Sequence, residues 1–183
     1  MRIGIIKEGK IPPDHRTPLT PDDAMNLMNT FSDLEIVAQS SQLRCFSDEE
    51  YMAKGIKVVS SLDDCDVILG VKEVPIPMLI PDKTFFFFSH TLKAQKYNHK
   101  LLLAILKNRI QLIDHETLID GNDHRLVGFG RYAGIVGAYN ALLAHGIRSG
   151  LYSLKPAHQT KGIAEMNIDL KRCILKESRI LIS

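Results

Sequence analysis

Val67-Ile68-Leu69-Gly70-Val71-Lys72-Glu73 is an almost unbroken apolar run that ends abruptly in a lysine and a glutamate. A strand buried on both faces has this composition, because neither of its sides meets water. The same pattern recurs along the chain. Residues 3–7, 34–38, 56–59, 84–88 and 110–113 are further short apolar runs. Helical segments alternate with them. Thr20-Pro21-Asp22-Asp23 opens one helix, with Thr as the cap, Pro at the first position and two Asp at the positive end of the helix dipole. Ser47-Asp48-Glu49-Glu50 is a capping box that opens a second, short helix, which Gly55 ends. Residues 94–108, with Leu101, Leu102, Ile105 and Leu106 on one side, are read as a third helix. A Gly/Ala-rich helix over 130–145 and another over 163–176 follow. Strands alternating with helices predict an α/β fold built on an open, mainly parallel sheet flanked by helices.

Composition narrows the function classes. The 183 residues carry a formal charge of +2, with 45% hydrophobic and 24% charged residues. No Lys/Arg stripe points to nucleic acid or to an anionic membrane surface. Cys45, Cys65 and Cys173 are few, odd in number and far apart, which fits a reducing cytoplasm and offers no zinc site. The N-terminal apolar run is too short for a signal peptide, and the apolar stretch 84–89 is too short to span a bilayer. A cytoplasmic protein is the expectation.

Ligands of open parallel sheets bind outside the carboxyl ends of the strands. The residues that follow the predicted strands are therefore the candidates. They are Lys7 and Glu8, then His15 and Arg16, after the first strand. Lys72 and Glu73 follow the run 67–71, His90 and Lys93 follow 84–88, and Asp114, His115 and Glu116 follow 110–113. Arg16 has a guanidinium suited to gripping a carboxylate through two parallel bonds. Lys72 directly follows a buried strand, and desolvation or a nearby Arg16 would lower its pKa towards that of a useful base. His90 exchanges protons near neutral pH with little tuning. Each also has a plain structural alternative: a solvated cation, a lysine reaching to water, a hydrogen-bonded histidine. Glu73 and Glu116 would orient Lys72 or stand in water.

Gly128-Phe129-Gly130-Arg131-Tyr132-Ala133-Gly134 invites comparison with a phosphate-binding loop. Its spacing is G-x-G-x-x-x-G, no buried-type strand runs into it, and no acidic residue stands at the expected distance beyond. It is read as the entry to the Gly/Ala-rich helix, and no dinucleotide site is expected in the chain. The last run, Ser178-Arg179-Ile180-Leu181-Ile182-Ser183, is strand-like. By pattern alone it serves equally as an edge strand of the same sheet or as the first strand of a further domain.

Taken together, Arg2-Ile3-Gly4-Ile5-Ile6-Lys7-Glu8 and His15-Arg16-Thr17-Pro18-Leu19-Thr20-Pro21 resemble the opening of alanine dehydrogenase, the transhydrogenase N-terminal domain and saccharopine dehydrogenase. Residues 68–75, 88–95, 112–118, 127–138 and 152–157 lean towards saccharopine dehydrogenase and lysine–ketoglutarate reductase. The resemblance implies an NAD- or NADP-dependent oxidoreductase acting on an amino acid and a 2-oxo acid. Lys72 would be the acid/base at the substrate amine and His90 the acid/base for water addition and carbinolamine collapse. Arg16, with Lys93 assisting, would hold a substrate carboxylate, and Glu73 and Glu116 would tune the charge of Lys72. It further implies a substrate-binding domain over 1–128, linking helices over 129–176, and the first strand of a truncated Rossmann domain over 177–183. The chain by itself is then expected to bind no cofactor or metal and to lack hydride transfer. Its apolar last strand offers a surface for homo-oligomer formation. The alternatives are an alanine dehydrogenase-like enzyme and a non-catalytic amino-acid-binding domain. The transhydrogenase reading is weaker, since no membrane segment is evident.

Overall fold

The computed structural model describes residues 1–160 and 162–173. Six parallel strands form one sheet: β1 (Arg2–Ile5), β2 (Glu35–Gln39), β3 (Lys57–Val59), β4 (Val67–Leu69), β5 (Thr84–Phe87) and β6 (Gln111–Asp114). Their spatial order is β3-β2-β1-β4-β5-β6. The chain winds outward from β1 through β2 to β3, then returns to the centre at β4 and winds the other way.

Side-chain alternation explains why the runs are continuously apolar. Ile36 and Ala38 of β2 join Ile5, Ala24, Tyr51 and Ile56 in one core. Val37 of the same strand joins Ile6, Ile68, Phe85, Phe87, Leu101 and Ile105 in another. Successive residues point to opposite faces, and both faces are covered. Helices α1 (Pro21–Thr30) and α2 (Asp48–Ala53) contribute Ala24 and Tyr51 to the first core, whereas α3 (His99–Lys107) contributes Leu101 and Ile105 to the second.

The caps behave as the sequence implies. Thr20 and Ser47 each close a capping box, with Asp23 and Glu50 respectively, and Gly55 leaves α2 at a φ of +77°. The expected helix over 94–108 is shorter than anticipated, beginning at His99 after a single 3-10 turn, Lys96–Asn98. Ala94, at a φ of +51°, is left-handed and cannot sit inside a right-handed helix. Helix α4 (Gly130–Ser149) overruns its expected end by four residues, until Gly150 stops it in the left-handed conformation, and α5 (Ile163–Leu170) ends before the expected 176.

The chain divides into two compact units, Met1–Val127 and the residues from Gly128 onward. In the second, Tyr139, Leu154 and Met166 form a core of their own, and the Tyr139 hydroxyl donates to Asp169 at 3.4 Å. The expected strand at residues 179–183 lies outside the described residues. Among the described residues, no helix is long and apolar enough to cross a membrane.

Candidate active site at the carboxyl ends of the strands

The centre of a doubly wound sheet is where ligands bind, because the connections leaving the two middle strands diverge there and open a crevice. Here those strands are β1 and β4, and the sequence places Lys7 to Arg16 after one and Val71 to Glu73 after the other. Glu8 bridges them. Its carboxyl oxygens accept the N–H groups of Val71 at 2.7 Å and Lys72 at 2.9 Å. Burial raises its pKa, and the two amide bonds offset part of that rise. Gly70 has no Cβ for a reason: one built there would lie 3.0 Å from Ile6 and 3.6 Å from the Glu8 carboxyl.

Arg16 is held by Asp14. The Asp14 carboxyl accepts the Arg16 backbone N–H at 3.0 Å and Nε at 2.9 Å, and pairs through its second oxygen with the Arg16 terminal nitrogen. The Arg16 hydrogen bond lowers the Asp14 pKa, with the charge of Lys72 acting in the same sense. Asp14 in turn raises that of Arg16, which also feels Glu8. Two anions and two cations are thus interleaved at the mouth of the crevice. The loop that carries them is pinned from outside by a contact of the His15 ring with the Leu43 carbonyl and by the Cys45 N–H donating to His15 at 2.7 Å.

One residue further, Glu73 takes Lys10 on one oxygen and His90 on the other, at 2.9 Å and 2.6 Å. Burial alone would raise the Glu73 pKa, yet the bonds from Lys10, its own backbone and His90 prevail and bring it down to about 2. An ionised carboxylate only accepts. The His90 Nδ1 therefore carries the hydrogen and donates, which leaves the ring's Nε2 outside that bond. His90 also holds a φ of +50°, which is uncommon for a residue with a Cβ and costs about 1 kcal/mol or more.

Phe88 joins the two groups. The Lys72 Nζ lies 5.8 Å from the centre of its ring, and the His90 ring stacks on it at 6.5 Å and 21°. The buried His115 meets its edge at 5.0 Å, and its Nε2 bonds the Gly70 carbonyl at 2.9 Å.

The residues anticipated from sequence distribute unevenly. Arg16 and Lys72 gather with Glu8 and Asp14, and Lys72 and His90 share Phe88. Lys93 is exposed, on the loop leading to α3. Glu73 and Glu116 do not bond the Lys72 ammonium: Glu73 belongs to Lys10 and His90, and Glu116 faces Arg125 at 3.6 Å. Asp14 is a carboxyl that feels the charge of Lys72. Lys10, Asp14 and Phe88 escaped the sequence reading. Asp14 left one signal, an Asp two residues before an Arg, which is the spacing of a side chain that turns back on the backbone. A cleft of about 420 Å³ lies between Glu8 and Lys7 on one side and residues 40–43 on the other, adjoining the cluster.

Gly130 opens α4, but the segment before it contains only the isolated bridge between Ile119 and Arg125, so the strand–turn–helix setting of a phosphate loop is missing there.

The fold and the clustered site define a doubly wound α/β domain with an ionisable pocket at its topological switch. Over residues 4–136 the chain matches the family described as alanine dehydrogenase/PNT, N-terminal domain, and it belongs to that family. Among curated proteins, the alpha-aminoadipic semialdehyde synthase of Arabidopsis thaliana is 38% identical over 149 residues, covering 79% of this chain and 14% of that protein. The mitochondrial enzyme of the same name from Bos taurus is 39% identical over 135 residues, 74% of this chain and 14% of its own length. The saccharopine dehydrogenase [NAD(+), L-lysine-forming] of Yarrowia lipolytica is 30% identical over 132 residues, 69% of this chain and 35% of that protein. A solved L-alanine dehydrogenase shares the fold with a TM-score of 0.60 at 21% identity, over 81% of this chain and 40% of its own. The chain thus spans about one seventh of the first two relatives.

Proposed function

We propose that this chain is the substrate-binding part of an NAD- or NADP-dependent amino-acid oxidoreductase acting on a CH–NH bond, of the saccharopine dehydrogenase kind. The observation that carries the proposal is the meeting, at one end of the sheet, of an Asp14-oriented guanidinium, the Lys72 amine and a Glu73-oriented imidazole. Arg16 is assigned to a substrate carboxylate, which its planar fork matches. Lys72 is assigned to proton exchange with the substrate amine, and the Phe88 face beside it attracts an ammonium group. His90 is assigned to proton transfer through Nε2, with Nδ1 committed to Glu73. Lys93 is retained only as an outer contact for a long substrate. A nicotinamide bound by the whole enzyme would supply the hydride chemistry, which leaves substrate binding and proton transfer to these residues. The family relationship and the relatives named for saccharopine and alpha-aminoadipic semialdehyde favour lysine, 2-oxoglutarate and saccharopine as the reactants. Among the described residues the glycine-rich segment lacks the setting of a phosphate loop, and the chain alone is expected to bind the amino acid or 2-oxo acid but to transfer no hydride.

Calorimetric titration tests this directly. Saccharopine or 2-oxoglutarate should bind with a dissociation constant near the millimolar range, and NADH should give no saturable heat. Arg16→Ala should weaken 2-oxoglutarate by about tenfold or more, the loss of one charge-assisted pair. No heat from either organic acid on folded protein would end the proposal, and tight NADH binding would overturn the account of the glycine-rich segment.

A further inference from the structure

Ser89 and Asp114 are almost fully buried, at 0% and 4% exposure, directly beside the exposed-edge chemistry of His90. Buried polar groups are as a rule hydrogen-bonded, and here those bonds converge on residues 89–91. The Ser89 N–H donates to Asp114 at 2.9 Å, and the Ser89 hydroxyl donates to the same Asp114 oxygen. The Ser89 carbonyl accepts the Asn98 side-chain amide at 2.8 Å. Beyond His90, the Thr91 N–H returns to the Ser89 hydroxyl oxygen at 3.2 Å. Asp114 is itself anchored, because it pairs with Phe87 in the last rung of the β5–β6 ladder and its other oxygen accepts the Glu116 N–H at 2.8 Å.

We infer that Asp114, Ser89 and Asn98 form a positioning frame whose task is to hold His90 in its left-handed backbone conformation, so that the imidazole Nδ1 reaches Glu73. The frame grips both peptides that flank His90 while leaving the ring itself to Glu73 and Phe88. A residue at φ +50° persists when its surroundings over-determine it, and such residues gather where function requires the geometry. Released from the frame, residue 90 falls back to an ordinary extended or right-handed conformation and its ring leaves Glu73. Asp114 touches no reacting atom in this scheme and acts only through His90. The inference deepens the proposed function, since it rests on His90 being the proton-exchanging group, but its test uses no reaction.

Carboxyl-carbon NMR of Glu73 reads the contact, because the His90 bond is one of the interactions that hold that carboxyl at about 2. In Asp114→Asn an amide N–H₂ replaces one acceptor oxygen and faces a donor whichever way it is turned. In Ser89→Ala the hydroxyl link to both Asp114 and Thr91 is lost. Both variants should raise the Glu73 midpoint by about one pH unit and remove the His90 Nδ1–H signal protected by the hydrogen bond. Asn98→Ala should move both readouts in the same direction, by less. Backbone amide signals of β4, β5 and β6 report that the sheet is intact, and if Asp114→Asn fails to fold, the other two variants decide. An unchanged Glu73 midpoint in folded Ser89→Ala and Asn98→Ala overturns the inference. Loss of organic-acid binding by the unaltered chain would instead overturn the proposed function and leave the frame standing.

Discussion

Two Asp–Arg forks of nearly the same geometry sit at opposite ends of the sheet. Before β5 and β6, the Arg109 Nε and terminal nitrogen reach Asp82 at 2.7 Å and 2.6 Å. After β1, Arg16 makes the matching two-point contact with Asp14. The first fork stands in water, with side chains 73% and 56% exposed, and among the described residues no further ion pair reaches it. In the second, Asp14 is only 13% exposed and lies within the influence of Lys72, while Arg16 feels Glu8. The same pair of residues is a surface ornament in one place and part of an electrostatic cluster in the other. What differs is position on the fold: only the carboxyl end has a switch between outward-winding connections to gather further charges.

The largest expected effect follows from removing the bridge that makes the second site a cluster. Glu8→Ala leaves the Val71 and Lys72 amides without their acceptor, and should destabilise the protein by about 2 kcal/mol, measured by urea unfolding. It should also abolish detectable 2-oxoglutarate binding. Next, Asp14→Asn should weaken that ligand by about tenfold with little change in stability, because Arg16 loses its orientation rather than its charge. Asp82→Asn is the matched control and should leave both affinity and thermal midpoint unchanged within error. Equal consequences for the two forks would erase the distinction between them.

A smaller effect concerns acid. Glu73 has a folded pKa of about 2, below its usual 4.5. A depressed carboxyl contributes stability that is present above the unfolded pKa and is lost as pH falls through the folded one. Unfolding stability should therefore fall between pH 5 and pH 2 on account of this group, by about 3 kcal/mol at full linkage and about 1–2 kcal/mol once solvent screening at this partly open pair is counted. Glu73→Gln should flatten that part of the profile while lowering stability at pH 7. Glu8 works in the opposite sense: burial raises its pKa, so its ionisation above the unfolded value costs stability rather than adding it.

The fold was legible because it depends on local rules. Apolar runs as long as a strand, Thr20 and Ser47 before acidic first turns, and Gly55 after a short helix each announce themselves within a few residues. The left-handed Ala94, which shortens the start of α3, does not, since alanine carries no preference for that conformation. The site was legible only in part. Arg16, Lys72 and His90 were visible because they follow apolar runs. The pairing of Lys10 with Glu73, 63 residues away, is a product of strand order, and strand order is a long-range fact. Phe88 was hidden for the converse reason: at the end of an all-aromatic run it looks like core, yet it stands between an amine and an imidazole.

The most direct test of the central claim, that one end of the sheet gathers a single organic-acid site, is a map of backbone and side-chain NMR shifts during titration with saccharopine. The signals of Arg16, Lys72 and His90 should move together along one saturation curve, while those of Asp82 and Arg109 stay fixed. Shifts confined to other surfaces, or different curves for the three residues, would contradict it.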